Sequence, residues 1–496
     1  MPNNRLYTKI ERNTYYDSVT LMRCSSQLQA IAGIGKVALM MGTPANQALM
    51  AEQHLWDFEK DRAAPTDLCV SMIYESDDAL SAALQALEDF ISGANTKATD
   101  SSKNGQHAGG YPVHSWQEAA YVLDAPRIAA ISVPGPWASA EARQALDAGF
   151  DVFLYSDNVP LAEELTLKRY ACERERIVMG PDCGTALIKG APLGFINRLR
   201  PGNVGIIAAS GTGAQEVSTA LDRAGIGISS IIGIGSRDLA ASIGAMSFLT
   251  ALQRLRDDSD TTKVAIVAKP PDPDVLAKLL PILDDFPKPI VALFLGIQPN
   301  AGAHRTNIVS TIGELIGAIS GRDVEMPPKL PRIQPGTFLR GLFVGGTLAI
   351  QASYLLHLPL AHEGLTPWQE RRHIVVDLGD DRFTLGRPHP MIDGSGRGQA
   401  LSECLSDPQT GMVMGDIVLG DGAENDPAGH VITAIEQAAP HRDRLPPIVF
   451  TVIGTRQDPQ NYDDQVEQLR RAGVWVTQTT AAAIAVREAL GGVFHD

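Results

Sequence analysis

The sequence predicts an α/β chain of several domains, with a small α+β unit in front of doubly wound parallel sheets. Three observations predict it. From Pro112 onward, short apolar runs alternate with helix-period segments, the β-α-β rhythm of a parallel sheet covered by helices. Many of those runs end in glycine turns, as strands do where a helix begins immediately afterwards. At 496 residues the chain is too long for one core, so three or four domains are expected.

The elements follow in order. Before the first linker, Ser18–Arg23 reads as a strand, Ser25–Ala32 as a helix and Gly35–Met41 as a strand. Asn46–His54 reads as a helix, Asp67–Tyr74 as a strand and Asp77–Ser92 as a helix. That order suggests a ferredoxin-like unit over residues 1–95. Residues 96–111 lie within a small, polar, glycine-rich stretch and read as a linker. Residues 112–190 carry strands Arg127–Val133, Asp151–Tyr155 and Ile177–Met179, with helices Ser139–Gly149 and Pro160–Glu175. Residues 191–325 carry strands Val204–Ala209, Gly227–Ile232, Lys263–Ala268 and Pro289–Leu295. A proline-rich linker (326–335) precedes the last unit, 336–496. Its strands are Thr337–Phe343, His373–Asp377, Met412–Leu419, Pro447–Ile453 and Val474–Gln478.

Composition narrows the function. A net charge of −15 argues against nucleic acid, which needs a basic face, but leaves room for local anion pockets. The five cysteines are scattered and odd in number, which argues against a disulfide framework or a zinc site and fits a reducing cytoplasm. No secretory leader and no membrane-spanning run is evident, so a cytoplasmic protein without membrane association is expected.

The glycine turns carry the chemistry. Ser210-Gly-Thr-Gly213 stands between an apolar strand and a helical pattern (Ala214–Ala224). There, free N–H groups, a helix dipole and two hydroxyls converge into an anion cradle; the plain alternative is an N-cap. It matches neither the Walker nor the dinucleotide glycine pattern. Gly180-Pro-Asp-Cys-Gly-Thr185 is a second candidate anion loop, with Cys183 a nucleophile or simply a structural thiol. In Gly233-Ile-Gly-Ser-Arg-Asp238, Gly235 lets a ligand approach and Arg237 could grip a carboxylate or phosphate, or pair on the surface. Lys269 ends a strand and could present an ammonium to an anion. Asp377 to Asp393 gathers aspartates, Arg387 and His389, a candidate acid/base group, in what is otherwise an acidic loop. Asp380 and Asp381 lack metal-ligand spacing, and no metal site is expected. Gly345-Gly-Thr347, Gly420-Asp-Gly422 and His304 are weaker signals.

Taken in order, these turns resemble the nucleotide-dependent acyl-CoA synthetases of the succinyl-CoA synthetase type. Residues 113–325 look like their α subunit: Gly180-Pro-Asp-Cys-Gly-Thr185, Ser210-Gly-Thr212 and Gly233-Ile-Gly235 match its loops. Residues 336–490 look like the carboxy-terminal domain of their β subunit, with Gly420-Asp-Gly422 near its phosphate-facing helix start. The resemblance implies a Rossmann-like domain followed by two flavodoxin-like domains. A resemblance covering essentially the whole chain is to the FdrA family. It rests on Met41-Gly-Thr-Pro-Ala-Asn46, Ser156-Asp-Asn-Val159, Val178 to Thr185, Ala209 to Gly213, Arg237-Asp-Leu239, Lys269-Pro-Pro271, Ala292 to Gly296, Asp377 to Asp381 and Gly386 to Asp393. The synthetases' GHAGA histidine loop is altered here to Gln298-Pro-Asn-Ala-Gly-Ala-His304, and their ATP-grasp domain and glycine-rich CoA turn are not recognisable in the chain.

The FdrA resemblance implies a subunit of an oxamate-type carbamoyltransferase in allantoin catabolism, exchanging oxalurate plus phosphate for oxamate plus carbamoyl phosphate. On that reading Ser210, Gly211, Thr212 and Gly213 hold the phosphate. Gly184 and Thr185 help from a second helix start, with Cys183, Gly235, Lys269 and Asn158 around the substrate. Arg237 orients a carboxylate, and Arg387 and His389 contact the carbamoyl group. No cofactor is required; the partners are small anionic substrates and the other subunits of a hetero-oligomer, with self-association open. One alternative is an acyl-CoA synthetase using CoA. Another is a non-catalytic subunit that senses an anion.

Overall fold

A computed structural model describes residues 5–16, 18–29, 31–56, 62–100, 113–298, 305–361, 363–364, 366–384, 388–442 and 444–491. The chain divides into two compact units: residues 1–113 with 384–393, and residues 114–383 with 394–496.

The first unit is a small α+β domain. It contains β1 (Arg5–Glu11), α1 (Ser18–Gln29), β2 (Ile34–Met41), α2 (Pro44–Glu52), β3 (Leu68–Tyr74) and α3 (Asp77–Asp100). The three strands form an antiparallel sheet in the order β1-β3-β2, with Arg5 opposite Tyr74 and Glu11 opposite Leu68. Strand alternation sends Leu68, Val70 and Met72 into one core with α1 and α3. Cys69 faces the other way, into a core with Met50, Leu55 and Trp56. The segment Ser18–Arg23, expected as a strand, is the first half of α1. Leu21, Cys24 and Leu28 recur at helical spacing and are all buried, so packing of that stripe outweighs the β-branched residues before it. Most of the expected linker, residues 101–111, lies outside the described residues.

The second unit holds three sheets. The first segment contributes α4 (Trp116–Val122), β4 (Ile128–Ile131), α5 (Gly135–Asp147), β5 (Asp151–Leu154), α6 (Leu161–Cys172) and β6 (Val178–Met179), with parallel order β4-β5-β6. Next come β7 (Thr185–Ile188), β8 (Ala191–Gly194), β9 (Pro201–Ala208), α7 (Gly211–Arg223), β10 (Ile228–Gly233) and α8 (Met246–Asp257). They continue through β11 (Lys263–Ala268), α9 (Pro273–Asp284), β12 (Ile290–Phe294), β13 (Asn307–Val309) and α10 (Ile312–Ser320). Their seven-stranded sheet runs β13-β12-β11-β9-β10-β7-β8, parallel except for the hairpin β7–β8 at one edge. That hairpin spans the expected boundary at residue 190.

The last segment contributes β14 (Phe338–Phe343), α11 (Gly346–Leu356), β15 (Ile374–Asp377), α12 (Asp381–Thr384), α13 (Ser395–Ser406), β16 (Thr410–Val418) and α14 (Pro427–Ala438). It ends with β17 (Ile448–Ile453), α15 (Tyr462–Arg471), β18 (Trp475–Val476) and α16 (Thr479–Ala489). The sheet is wholly parallel, in the order β15-β14-β16-β17-β18.

Both larger sheets have a switch point, at β9 and at β14. The chain leaves β9 for β10 on one side, then returns to β11 on the other; it leaves β14 for β15, then returns to β16. Such switch points open a crevice at the strands' carboxyl ends, where ligands of open α/β sheets bind. The helices that start at these two points, α7 and α11, pack against each other. Helix α7 is buried from Gly213 to Asp222, including the polar Gln215, Glu216, Ser218, Thr219 and Asp222. Ser218 and Thr219 donate to carbonyls of the helix itself, whereas Gln215, Glu216 and Asp222 are met from outside it. Gln215 donates to Asn197 Oδ1 (3.1 Å), Thr479 Oγ1 donates to Glu216 (3.2 Å), and Asn197 donates to Leu419 O and Asp458 (both 2.8 Å). A buried polar helix face needs fixed partners, so this network sets how the two halves meet.

Candidate functional site

The site is built where α7 and α11 begin. Ser210 caps α7, its Oγ accepting from Gly213 N at 2.9 Å. Its hydroxyl also meets the hydroxyl of Thr347, on the first turn of α11. Glycine eases this approach. A Cβ on Gly213 would stand 2.7 Å from Ser210 Oγ and 3.1 Å from Thr347 Cγ2, and one on Gly345 would stand 3.1 Å from Thr212 Oγ1. Among the described residues, the N–H groups of Gly211 and Thr212, and those of Gly346 and Thr347, take no acceptor. Four free donors and two positive helix ends thus converge, an arrangement suited to a phosphate or an acyl phosphate.

Carboxylates flank the α11 side. Asp416, fully buried on β16, accepts from Val344 N (2.6 Å) and Gly345 N (3.0 Å). Burial pushes its pKa up to about 7 despite these two donors. Asp377 lies against Gly346, where a side chain would collide with it. Burial raises its pKa to about 6, against the pull of Gly379 N–H and the Lys269 ammonium. Lys269 follows β11 and lines a cleft of about 290 Å³ together with Ala209 and Ser236.

Ser210, Gly211, Thr212 and Gly213 lie together at the start of α7, and Lys269 lines a cleft with the adjoining Ala209. Thr185 is also close: its Oγ1 would lie 3.3 Å from a Cβ on Gly211. Its setting differs from the expected helix start, since Gly184 and Thr185 enter the hairpin β7–β8. There Gly184 O accepts from Phe195 N (2.8 Å) and the Thr185 hydroxyl donates to Phe195 O (2.8 Å).

Three further expectations are corrected. Cys183 is a core thiol, 4% exposed, whose pKa burial pushes up to about 12, so it carries no thiolate. Arg237 is committed elsewhere: its guanidinium pairs with buried Glu164 (2.8 Å) and donates to Val159 O (2.7 Å). Glu164 also pairs with Lys168 (3.0 Å), which pairs with Asp238 (2.7 Å), so this ion network ties α6 to the turn after β10. Gly420-Asp-Gly422 is not the phosphate-facing helix start. Asp421 N donates to Ile196 O, and Arg198 pairs with Asp421 at 3.0 Å, making a joint between the halves. Gly345-Gly346 holds the facing position instead.

Gly235, at φ +83°, lies against the Gly180–Pro181 turn, where a Cβ would stand 2.6 Å from Pro181 O. Asn158, at φ +52°, follows β5 of the three-stranded sheet, its carbonyl packed against Gly135. His389 belongs to the first compact unit, not to the unit that holds the cradle. Its Nδ1 accepts from Met391 N (3.1 Å) and burial lowers its pKa to about 4, so it is neutral at pH 7. Arg387 and His304 lie outside the described residues. Asp416 escaped sequence reading, although an aspartate inside the apolar run Met412–Val418 was its signal.

No helix among the described residues is long and apolar enough to cross a membrane, and no group of three or more His, Cys, Asp or Glu is placed to hold a metal.

Residues 342–490 match the CoA-ligase family model, and residues 4–108 match the AllF heavy metal-associated domain. The chain is 34% identical to the uncharacterized protein YahF of Escherichia coli K12 over 97% of both chains. It is 30% identical to succinate–CoA ligase [ADP-forming] subunit alpha 2 of Archaeoglobus fulgidus, over 40% of this chain and 69% of that one. It is 28% identical to the malate–CoA ligase subunit alpha of Methylorubrum extorquens, over 43% and 74%. The heavy-metal name does not fit the donors described here. Cys24 and Cys69 are buried in separate cores and so do not form a shared ligand set.

Proposed function

The chain belongs to the FdrA-like, CoA-ligase-type family that includes YahF, and from that premise we propose that it handles an acyl phosphate as an NDP-forming acyl-CoA synthetase-like enzyme or enzyme subunit. The observation that carries this reading is the meeting of two helix starts at Ser210 and Thr347, with four free N–H donors around one point. In such a reaction a carboxylate is activated as its mixed anhydride with phosphate. A thiol then attacks the acyl carbon, and phosphate departs with the electron pair of the broken C–O bond. The donors of Gly211, Thr212, Gly346 and Thr347 would neutralise charge on that phosphate in both steps.

A second reading uses the same site. Carbamoyl phosphate is itself an acyl phosphate, and the altered Gln298–His304 loop favours phosphate held as substrate over phosphate carried on the protein. Transfer to an amide nitrogen such as that of oxamate would then release phosphate into the cradle.

The test is a pair of assays on the full chain, alone and with co-expressed partner subunits. One supplies ATP, CoA and succinate or malate; the other supplies carbamoyl phosphate and oxamate. Turnover in the first supports the ligase reading and turnover in the second the carbamoyl reading. In either, Thr212→Val is expected to lower kcat/KM by about tenfold or more. Unchanged turnover in Thr212→Val would remove the Thr212 hydroxyl from the mechanism.

A further inference from the structure

The cleft beside the cradle carries an inference of its own, one that rests on the acyl-phosphate reading and extends it to the substrate's other end. It opens at the switch point of the seven-stranded sheet, between the carboxyl ends of β9 and β11, with the loop after β10 as its third side. Ala209, its floor on the β9 side, is joined directly to Ser210 of the cradle.

Two polar residues line it from facing loops, Lys269 and Ser236. The third polar residue, Asp272, is already used: its Oδ1 caps α9, accepting from Asp274 N (2.9 Å) and Val275 N (3.4 Å). Lys269 is half-buried, and among the described residues it enters no ion pair or hydrogen bond; its field is felt at Asp377 but no contact joins them. Three interior cations of this unit, Lys168, Arg340 and Arg397, each have a carboxylate or carbonyl partner. A half-buried ammonium with no protein partner has given up part of its hydration and is free to meet a bound anion.

The remaining walls are small and apolar (Leu239, Ala240, Pro271), and about 290 Å³ lies at the lower end of small-molecule sites. The space accommodates a few carbon atoms with one anionic end.

We propose that this cleft binds the non-reacting carboxylate of a short acid with two acyl ends, a small dicarboxylate or an amide-acid. Lys269 and Ser236 hold that carboxylate while the other end meets phosphate at Ser210–Gly213. Lys269 is then a specificity-determining residue: it selects acids with a second charged end over simple monocarboxylates.

Calorimetric titration of the full chain tests this with four probes: succinate, oxamate, acetate and inorganic phosphate. Wild type is expected to bind succinate or oxamate at least about tenfold more tightly than acetate. Lys269→Met should erase that preference, lowering succinate and oxamate affinity at least tenfold more than phosphate affinity. Lys269→Arg, which keeps the charge, should retain it and shows that the site still folds. Ser236→Ala should lose a few-fold. Phosphate binding without succinate or oxamate binding would overturn the cleft assignment and leave the cradle standing, as would equal binding of either acid to wild type and Lys269→Met. Lys269-dependent binding of an acid without phosphate binding would uphold the cleft and remove the acyl-phosphate reading.

Discussion

The starts of α7 and α11 face the same point but are finished differently. Helix α7 is capped by its own hydroxyl, Ser210, and adds no negative charge. Ahead of α11, the N–H groups of Val344 and Gly345 are held by the buried carboxylate of Asp416, and Asp377 lies against Gly346. One start therefore offers an anion a positive end at any pH. The other offers it only as far as its two carboxylates are neutral, and their pKa values of about 7 and about 6 put that change within the working range of an enzyme. The difference makes the cradle asymmetric: α7 binds, and α11 adjusts.

The largest expected effect breaks the α11 side. Asp416→Ala leaves the Val344 and Gly345 N–H groups unpaired in the core, at about 1–3 kcal/mol for each. A clear fall in the urea midpoint is expected; an unchanged midpoint would mean that Asp416 does not organise this turn.

The next sharpens the comparison through pH. Asp416 and Asp377 bind protons more tightly folded than unfolded, so their contribution to stability is full below the unfolded carboxylate range. It is lost as pH rises towards about 6 for Asp377 and about 7 for Asp416. The same titration restores negative charge beside the anion. Sulfate, which does not titrate there, is expected to bind several-fold more tightly at pH 6 than at pH 8. Asp416→Asn should flatten that profile, and a flat profile in wild type would show that α11 does not adjust.

The smallest effect concerns a residue outside the cradle. Arg237→Met should cost about 1 kcal/mol by loosening the pair with Glu164 at a partly exposed guanidinium. Phosphate affinity should not move; a tenfold loss would return Arg237 to the site.

Much of this was legible in the residues. The parallel strands from Arg127 to Val476 follow apolar runs bounded by turns, and the Ser210–Gly213 turn announces itself because a strand, two glycines and a helical period coincide. What escaped depends on partners distant in sequence. Arg237 looks the same whether free or paired, and its partner Glu164 lies on another helix. Gly184-Thr185 has the residue types of a helix cap, but the segment pairs with β10 as an edge hairpin. Gly345-Gly346 and Gly420-Asp-Gly422 are equivalent as glycine turns after strands; only the packing of α11 on α7 separates them.

The central claim is that both helix starts hold one anion, and a double-mutant cycle on inorganic phosphate affinity tests it most directly. Thr212→Val and Thr347→Val should each weaken binding. The double variant should depart from the sum of the two by more than about 0.5 kcal/mol, because both threonines act on the same ligand. Additive losses within that limit, or a Thr347→Val variant that binds phosphate like wild type, would contradict a shared site.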